Sequence, residues 1–138
     1  MPYLVAVSSE TEHRVLGYCY AGEFRPHMHA YDHTAELSIF VRPDEQGRGV
    51  GSMLMKTLLE ELRVKHSNPG KVEGRISYEP VKGEIRNLLA VMSVDEHGWG
   101  DGLRDWYRSW GFEEKGRMEK VGWKLGRWVD VVIMQLKL

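Results

Sequence analysis

The stretch Phe40-Val41-Arg42-Pro43-Asp44-Glu45-Gln46-Gly47-Arg48-Gly49-Val50-Gly51-Ser52 holds a strand end, a glycine-rich turn and the start of a helix. Ahead of it, Thr34 to Val41 alternates, with Leu37, Ile39 and Val41 on one face and Glu36, Ser38 and Phe40 on the other. That is strand periodicity, and Pro43 ends it. Behind it, Val50, Leu54, Leu58 and Leu62 recur every four residues beside Met55 and Leu59. They make one apolar stripe on a helix running to about Lys65, with Glu61 and Lys65 as an i,i+4 pair. The glycines between strand and helix leave backbone N–H groups bare and let a ligand approach closely. A helix N-terminus adds unpaired donors and partial positive charge, which together suit a pyrophosphate. A ligand-free turn is the bland alternative. A Walker loop would need a lysine before Ser52, and a dinucleotide fold would place its glycines after the first strand of a βαβ unit. Neither pattern is present.

Outward from this turn, the spacing predicts strands at Tyr3 to Val7, Arg14 to Phe24, Asn87 to Val94, around Phe112 to Met118 and around Trp128 to Leu136. Asn87 to Val94 is apolar on both faces, as a strand covered on both sides would be. A second helix follows His97 to Gly102, with Asp101 as N-cap, Leu103, Trp106, Tyr107 and Trp110 at helical spacing, and Gly111 past its end. Ser67 to Glu84 reads as a long polar connection with a short strand at Arg75 to Tyr78. The order is β-β-β-α-β-α-β-β, which implies a mixed sheet with helices packed on it.

Composition sets the outer limits. With 138 residues the chain is expected to be one domain spanning 1–138. Acidic and basic residues nearly balance, at 20 and 19, so the basic excess of a nucleic-acid binder is missing. A single cysteine, Cys19, allows no intrachain disulfide. The first residues have neither the basic start nor the apolar core of a signal peptide, and no apolar run approaches a membrane span. The expected setting is the cytoplasm, with no membrane and no nucleic acid as partner.

The turn then becomes specific. VRPDEQGRGVGSMLM resembles motif A of the GNAT acetyltransferases, Gln/Arg-x-x-Gly-x-Gly/Ala, with Gln46, Gly49 and Gly51 in the fixed places. GYCYAGEF, AYDHTAELSIFV and the tail from Tyr107 to Leu138, with its Gly122-Trp-Lys-Leu-Gly-Arg-Trp-Val-Asp130 run, resemble the phosphinothricin-type subgroup in the same order. The resemblance implies an α/β (α+β) fold with a mixed, mostly antiparallel twisted sheet, and acetyl-CoA as co-substrate with no metal. It implies that Gln46, Gly47, Arg48, Gly49, Val50, Gly51 and Ser52 hold the pyrophosphate and that Ile39, Phe40 and Val41 pair with the pantetheine arm. The implied activity is acetyl transfer to a primary amine of a small molecule, an amino acid analogue or xenobiotic. Acetylation of protein amines and coenzyme binding without turnover are the alternatives.

Acid–base chemistry frames the catalytic candidates. A lysine-like amine with pKa near 10.4 is neutral in roughly one molecule in 2,500 at pH 7, a cost of about 4.6 kcal/mol, so a general base is valuable. The resemblance places that base at Glu36; the bland reading is an exposed or salt-bridged glutamate. A thiolate is a fair leaving group unaided. Tyr107 falls at the family's general-acid position, and a core tyrosine is the equal alternative. The base is therefore expected to matter more than the acid. Tyr31 matches an acceptor-pocket tyrosine, and Arg25 is a nearby cation for acidic acceptors. Pro26 to Tyr31 (PHMHAY) departs from the subgroup's basic pattern, which argues against phosphinothricin itself. His27, His29, Asp32 and His33 read as polar lining, with zinc as the lesser alternative. Arg42, Arg48 and Lys56 are either phosphate contacts or surface charges, and the five tryptophans read as core or pocket wall. The resemblance implies an assisting asparagine near the start of the last helix; counting back from Tyr107 gives Gly100, so Asp95 or Asp101 is the candidate substitute. The family places a strand and two helices ahead of the position of Tyr3, so a widened acceptor cleft completed in a homodimer is the expected consequence.

Overall fold

The computed structural model describes residues 1–9, 13–64 and 84–138. The strand anticipated at Arg75 to Tyr78, and Lys65 of the Glu61 pair, lie outside them. The chain separates into two compact units, Met1–Arg86 and Asn87–Leu138.

In the first unit, β1 (Tyr3–Val7), β2 (Val15–Glu23) and β3 (Thr34–Val41) form an antiparallel meander, and α1 (Val50–Val64) packs on it. Alternation decides which side chains meet the helix. Ala6, Cys19, Ala21, Ala35 and Leu37 are buried, and so are Val50, Leu54, Met55, Leu58, Leu59 and Leu62 of α1. The i,i+4 stripe therefore faces inward as its spacing requires. Cys19 sits at the centre: its thiol donates to the Leu54 carbonyl at 3.6 Å, and burial pushes its pKa up to about 11. Gly17 lets strands and helix approach closely, because a Cβ there would lie 2.6 Å from the Phe40 carbonyl oxygen and 3.3 Å from Leu54 Cδ1. The opposite face carries Tyr3, Tyr18, Tyr20 and Phe40. Their rings stack across strands, Tyr18 on Phe40 at 4.9 Å and Tyr3 on Tyr20 at 5.8 Å.

In the second unit, β4 (Asn87–Val94) pairs with β6 (Arg127–Lys137), which pairs with β5 (Glu113–Lys124), all antiparallel. Two sequence expectations need correction here. β4 is not covered on both sides: Leu88, Ala90, Met92 and Val94 are buried, but Val91 on the other face is 41% exposed. Nor does Asp101 cap α2 (Asp101–Ser109); the cap is Gly100, with φ of 90°, and Asp101 is the first helical residue. Only glycine fits, since that φ strains L side chains and a Cβ would lie 2.5 Å from the Ser93 carbonyl oxygen. Along α2, Tyr107 is buried, Trp106 and Trp110 are half-buried, and Leu103 faces solvent. The apolar stripe is thus narrower than its spacing suggested. Gly111, with φ of 89°, follows the helix end as expected.

Candidate active site

The first unit assembles most of the candidate site. β3 ends at Val41, and the chain turns through Pro43–Glu45 into the glycine loop. Gly47 and Gly49 have φ of 74° and 88°, a region that disfavours side chains, and a Cβ at either would meet nothing within 4 Å. Open space is what a loop that admits a ligand to its backbone requires. The first backbone bond of α1 runs from the Met53 N–H to the Gly49 carbonyl at 3.0 Å. The N–H groups of Val50, Gly51 and Ser52 precede it, so they have no carbonyl within the helix to meet. Gln46 ties the loop to the strand: its side-chain amide donates to the Val41 carbonyl at 3.3 Å. Val41, at the end of the strand that carries Ile39 and Phe40, is thereby tied to the loop at 46–52.

The loop rests on a residue that sequence reading passed over. Glu45 is buried, and its carboxylate meets Arg14 and, at 3.1 Å, Arg48. Arg14 lies far away in sequence, so no local signal marks this pair. The remaining cations weighed as phosphate contacts are engaged too: Arg42 with Asp44 at 3.0 Å, and Lys56 with Glu60 at 4.0 Å. Arg42 and its hydrogen-bonded neighbour shift in opposite senses, with the Asp44 carboxyl held below its ordinary value and the guanidinium above.

Glu36 is half-buried on β3 opposite Gly22, on the sheet face that also carries Tyr18, Tyr20 and Phe40. Gly22 leaves the space beside it open, with only the Glu36 carbonyl oxygen near, at 3.9 Å from a Cβ. The connection from β2 to β3 brings Arg25 and Tyr31 together. The Arg25 guanidinium lies 5.7 Å from the Phe24 ring centre and 5.8 Å from that of Tyr31. Those rings meet edge to face at 5.8 Å. Arg25 and His27 hold positive φ, 52° and 73°, which makes this a strained turn. The histidines do not converge: His29 meets Asp32 at 3.3 Å, while His33 Nδ1 meets the Glu84 carbonyl at 2.7 Å. Among the described residues no group of three or more His, Cys, Asp or Glu is placed to hold a metal ion.

Tyr107 belongs to the second unit. It is 4% exposed, and its ring meets Trp106 and Phe112 edge to face, each at 5.1 Å. Asp95, one of the two candidates near the helix start, is committed elsewhere. Its carboxylate accepts the His97 and Trp99 amides at 2.9 and 2.8 Å and pairs with Arg127 at 2.7 Å. Burial opposes its charge, but the amides of Trp99 and His97 and the Arg127 guanidinium more than offset that and keep the carboxyl below its ordinary value. Asp101 pairs with Arg104 at 3.1 Å.

Comparison with known proteins supports the same family. Residues 2–68 match the acetyltransferase (GNAT) family model. Phosphinothricin N-acetyltransferase of Alcaligenes faecalis is 36% identical over 138 residues, all of this chain and 57% of that protein. The crystal structure of ribosomal-protein-alanine N-acetyltransferase from Brucella melitensis matches at 33% identity with a TM-score of 0.74, over 99% of this chain and 68% of that one. A GNAT phosphinothricin acetyltransferase from Sinorhizobium meliloti, solved in complex with AcCoA, matches at 30% identity with a TM-score of 0.72, over 99% and 60%. The chain belongs to the GNAT acetyltransferase family, with its strands, helices and motif A in that order. It spans less than two thirds of the length of the curated relative from Alcaligenes.

Proposed function

We propose that this chain is an acetyl-CoA-dependent N-acetyltransferase whose acceptor is a primary amine of a small, amino-acid-like molecule. The observation that carries this reading is the loop at 46–52, with two left-handed glycines, open space above them, and three helix N-terminal donors without helical partners. A diphosphate is the group such a cradle suits. The Sinorhizobium relative holds AcCoA and the Alcaligenes relative acts on an amino acid analogue, which supports both halves of the reading. The two units serve as one GNAT domain.

When bound, the coenzyme supplies an acetyl thioester. The chain's own residues supply position and protons. Gln46 fixes the strand end against the loop, so Ile39 to Val41 offer backbone groups to the arm that follows the diphosphate. Glu36 takes the proton of the incoming ammonium, freeing the lone pair that forms the new C–N bond as the C–S bond breaks. Tyr107 gives its phenolic proton to the departing sulfur, and the acylated nitrogen sheds its second proton to solvent, from which the phenolate is reprotonated. Arg25, held over two aromatic rings, meets an acidic group of the acceptor, with Tyr31 as the pocket wall. In this reading the protein acts in the cytoplasm, without membrane or nucleic acid, as a homodimer.

One observation favours a second reading: the Brucella relative is a ribosomal-protein-alanine N-acetyltransferase, so a protein amine is the alternative acceptor. Thiol release from acetyl-CoA separates the two. Free amino acids and their phosphinic analogues are expected to drive release, phosphinothricin less well than acceptors with a smaller acidic group. An alanine-terminated peptide is not. Transfer to the peptide alone would replace this reading with the second, and coenzyme binding with no release on any amine would leave a binding module.

A further inference from the structure

The β5–β6 hairpin and the loop after β4 enclose a cavity of about 420 Å³, within the size range of small-ligand sites. It shares no residue with the loop and strand assigned to the coenzyme. Two indoles form its wall. Trp123 and Trp128 are cross-strand partners with ring centres 5.3 Å apart and planes at 76°. They are 63% and 56% exposed, an unusual amount of aromatic surface to leave in water.

The charges around the indoles decide what fits. Four carboxylates, Asp95, Glu96, Glu119 and Asp130, face three permanent cations, Arg117, Lys120 and Arg127. The two arginines are already engaged, Arg117 with Asp130 at 2.6 Å and Arg127 with Asp95 at 2.7 Å. Asp130 also accepts the Lys120 amide at 2.8 Å, which pins the irregularity in β5 between Met118 and Gly122, where Lys120 holds φ of 51°. Glu96 meets only His97, at 3.7 Å, and Glu119 makes no salt bridge among the described residues. The balance left for a ligand is negative, with Glu96 and Glu119 set against the Lys120 ammonium, which makes no salt bridge among the described residues. The electron-rich indole faces favour the same sign of ligand.

We propose that this cavity binds an organic cation, a protonated or quaternary ammonium, on the faces of Trp123 and Trp128 with Glu119 as its counter-charge. The proposal does not depend on acetyl transfer, and its test is run without acetyl-CoA. The whole chain is titrated with choline at constant ionic strength, followed by tryptophan fluorescence and calorimetry. The neutral isostere 3,3-dimethylbutan-1-ol is titrated in parallel. Saturable choline binding is expected, with the isostere weaker by about tenfold, and Trp123→Leu should weaken choline by about three- to tenfold. Glu119→Gln, at an exposed position, should weaken it in the same sense while leaving the isostere unchanged. Equal binding of choline and isostere, no saturation, or loss of neither variant's affinity would overturn the proposal. A fluorescence change that follows protein concentration alone would overturn it too, by showing that a second copy of the chain covers the indoles.

Discussion

The same substitution at two places on β2 should move stability in opposite directions. Gly17 and Gly22 both lie in the strand, and neither has positive φ. Glycine to alanine at either position lowers the entropy of the unfolded chain and stabilises the fold by about 0.4–1 kcal/mol if the methyl fits. At Gly22 it fits, because the nearest atom is the Glu36 carbonyl oxygen at 3.9 Å. At Gly17 it does not: the methyl would lie 2.6 Å from the Phe40 oxygen and 3.2 Å from Val41 Cα, both backbone, so strand must move from strand. Such overpacking costs about 1–3 kcal/mol. The entropy contribution is common to both variants, so they should differ by that amount. For a chain of this size this is a gap of roughly 3–12 °C in Tm, with Gly22→Ala at or above the parent and Gly17→Ala below it. Thermal unfolding followed by circular dichroism, without ligand, reads the gap. Because Val41 also receives the Gln46 amide, Gly17→Ala should loosen coenzyme binding as well. Equal Tm values for the two variants, or a lower one for Gly22→Ala, would refute the reasoning from strand spacing.

Further outcomes follow from the site and the charges. In steady-state assays at pH 7, Glu36→Gln should lose more activity than Tyr107→Phe, since a neutral amine costs about 4.6 kcal/mol while a thiolate leaves unaided; a larger loss from the tyrosine change would reverse the assignment. Asp95 and Asp130 have folded pKa values below the ordinary 3.8, so their contribution to stability is present above that value and fades as pH falls through the folded one. Urea midpoints measured downward from pH 6 should therefore decline less steeply for an Asp95→Asn, Asp130→Asn double variant than for the parent. Cys19, with its thiol raised to about 11, should resist iodoacetamide at pH 8 in the folded protein and react readily in denaturant, as mass spectrometry would show.

Much of the fold was legible in the sequence where a short period and a punctuating residue coincide. Tyr3–Val7, Thr34–Val41 and Asn87–Val94 have the boundaries their patterns gave, and α1 follows its four-residue stripe. β5 was foreshortened because Glu113 to Lys120 is mostly charged and does not alternate; pairing with β6, rather than its own pattern, makes it a strand. The glycine loop was legible because Gly47 and Gly49 take left-handed φ, a region glycine adopts without strain. The supports of the site were not. Arg14 with Glu45, Arg127 with Asp95, and Arg117 with Asp130 join residues far apart in sequence, and an isolated charged residue gives no sign of which partner the fold will bring to it. The start of α2 was misread for a related reason: Asp101 is a good N-cap residue, but close approach of Ser93 reserves the cap for glycine.

Isothermal calorimetry with coenzyme A, on the parent chain and on Gly49→Val, bears most directly on the loop at 46–52. The parent should bind one equivalent with micromolar affinity. The variant, forced into a left-handed conformation that valine resists and filling the space above the amides, should stay folded by circular dichroism and bind at least about tenfold more weakly. No heat from the parent at millimolar coenzyme, or equal affinity in a folded Gly49→Val, would contradict the assignment of this loop to the diphosphate.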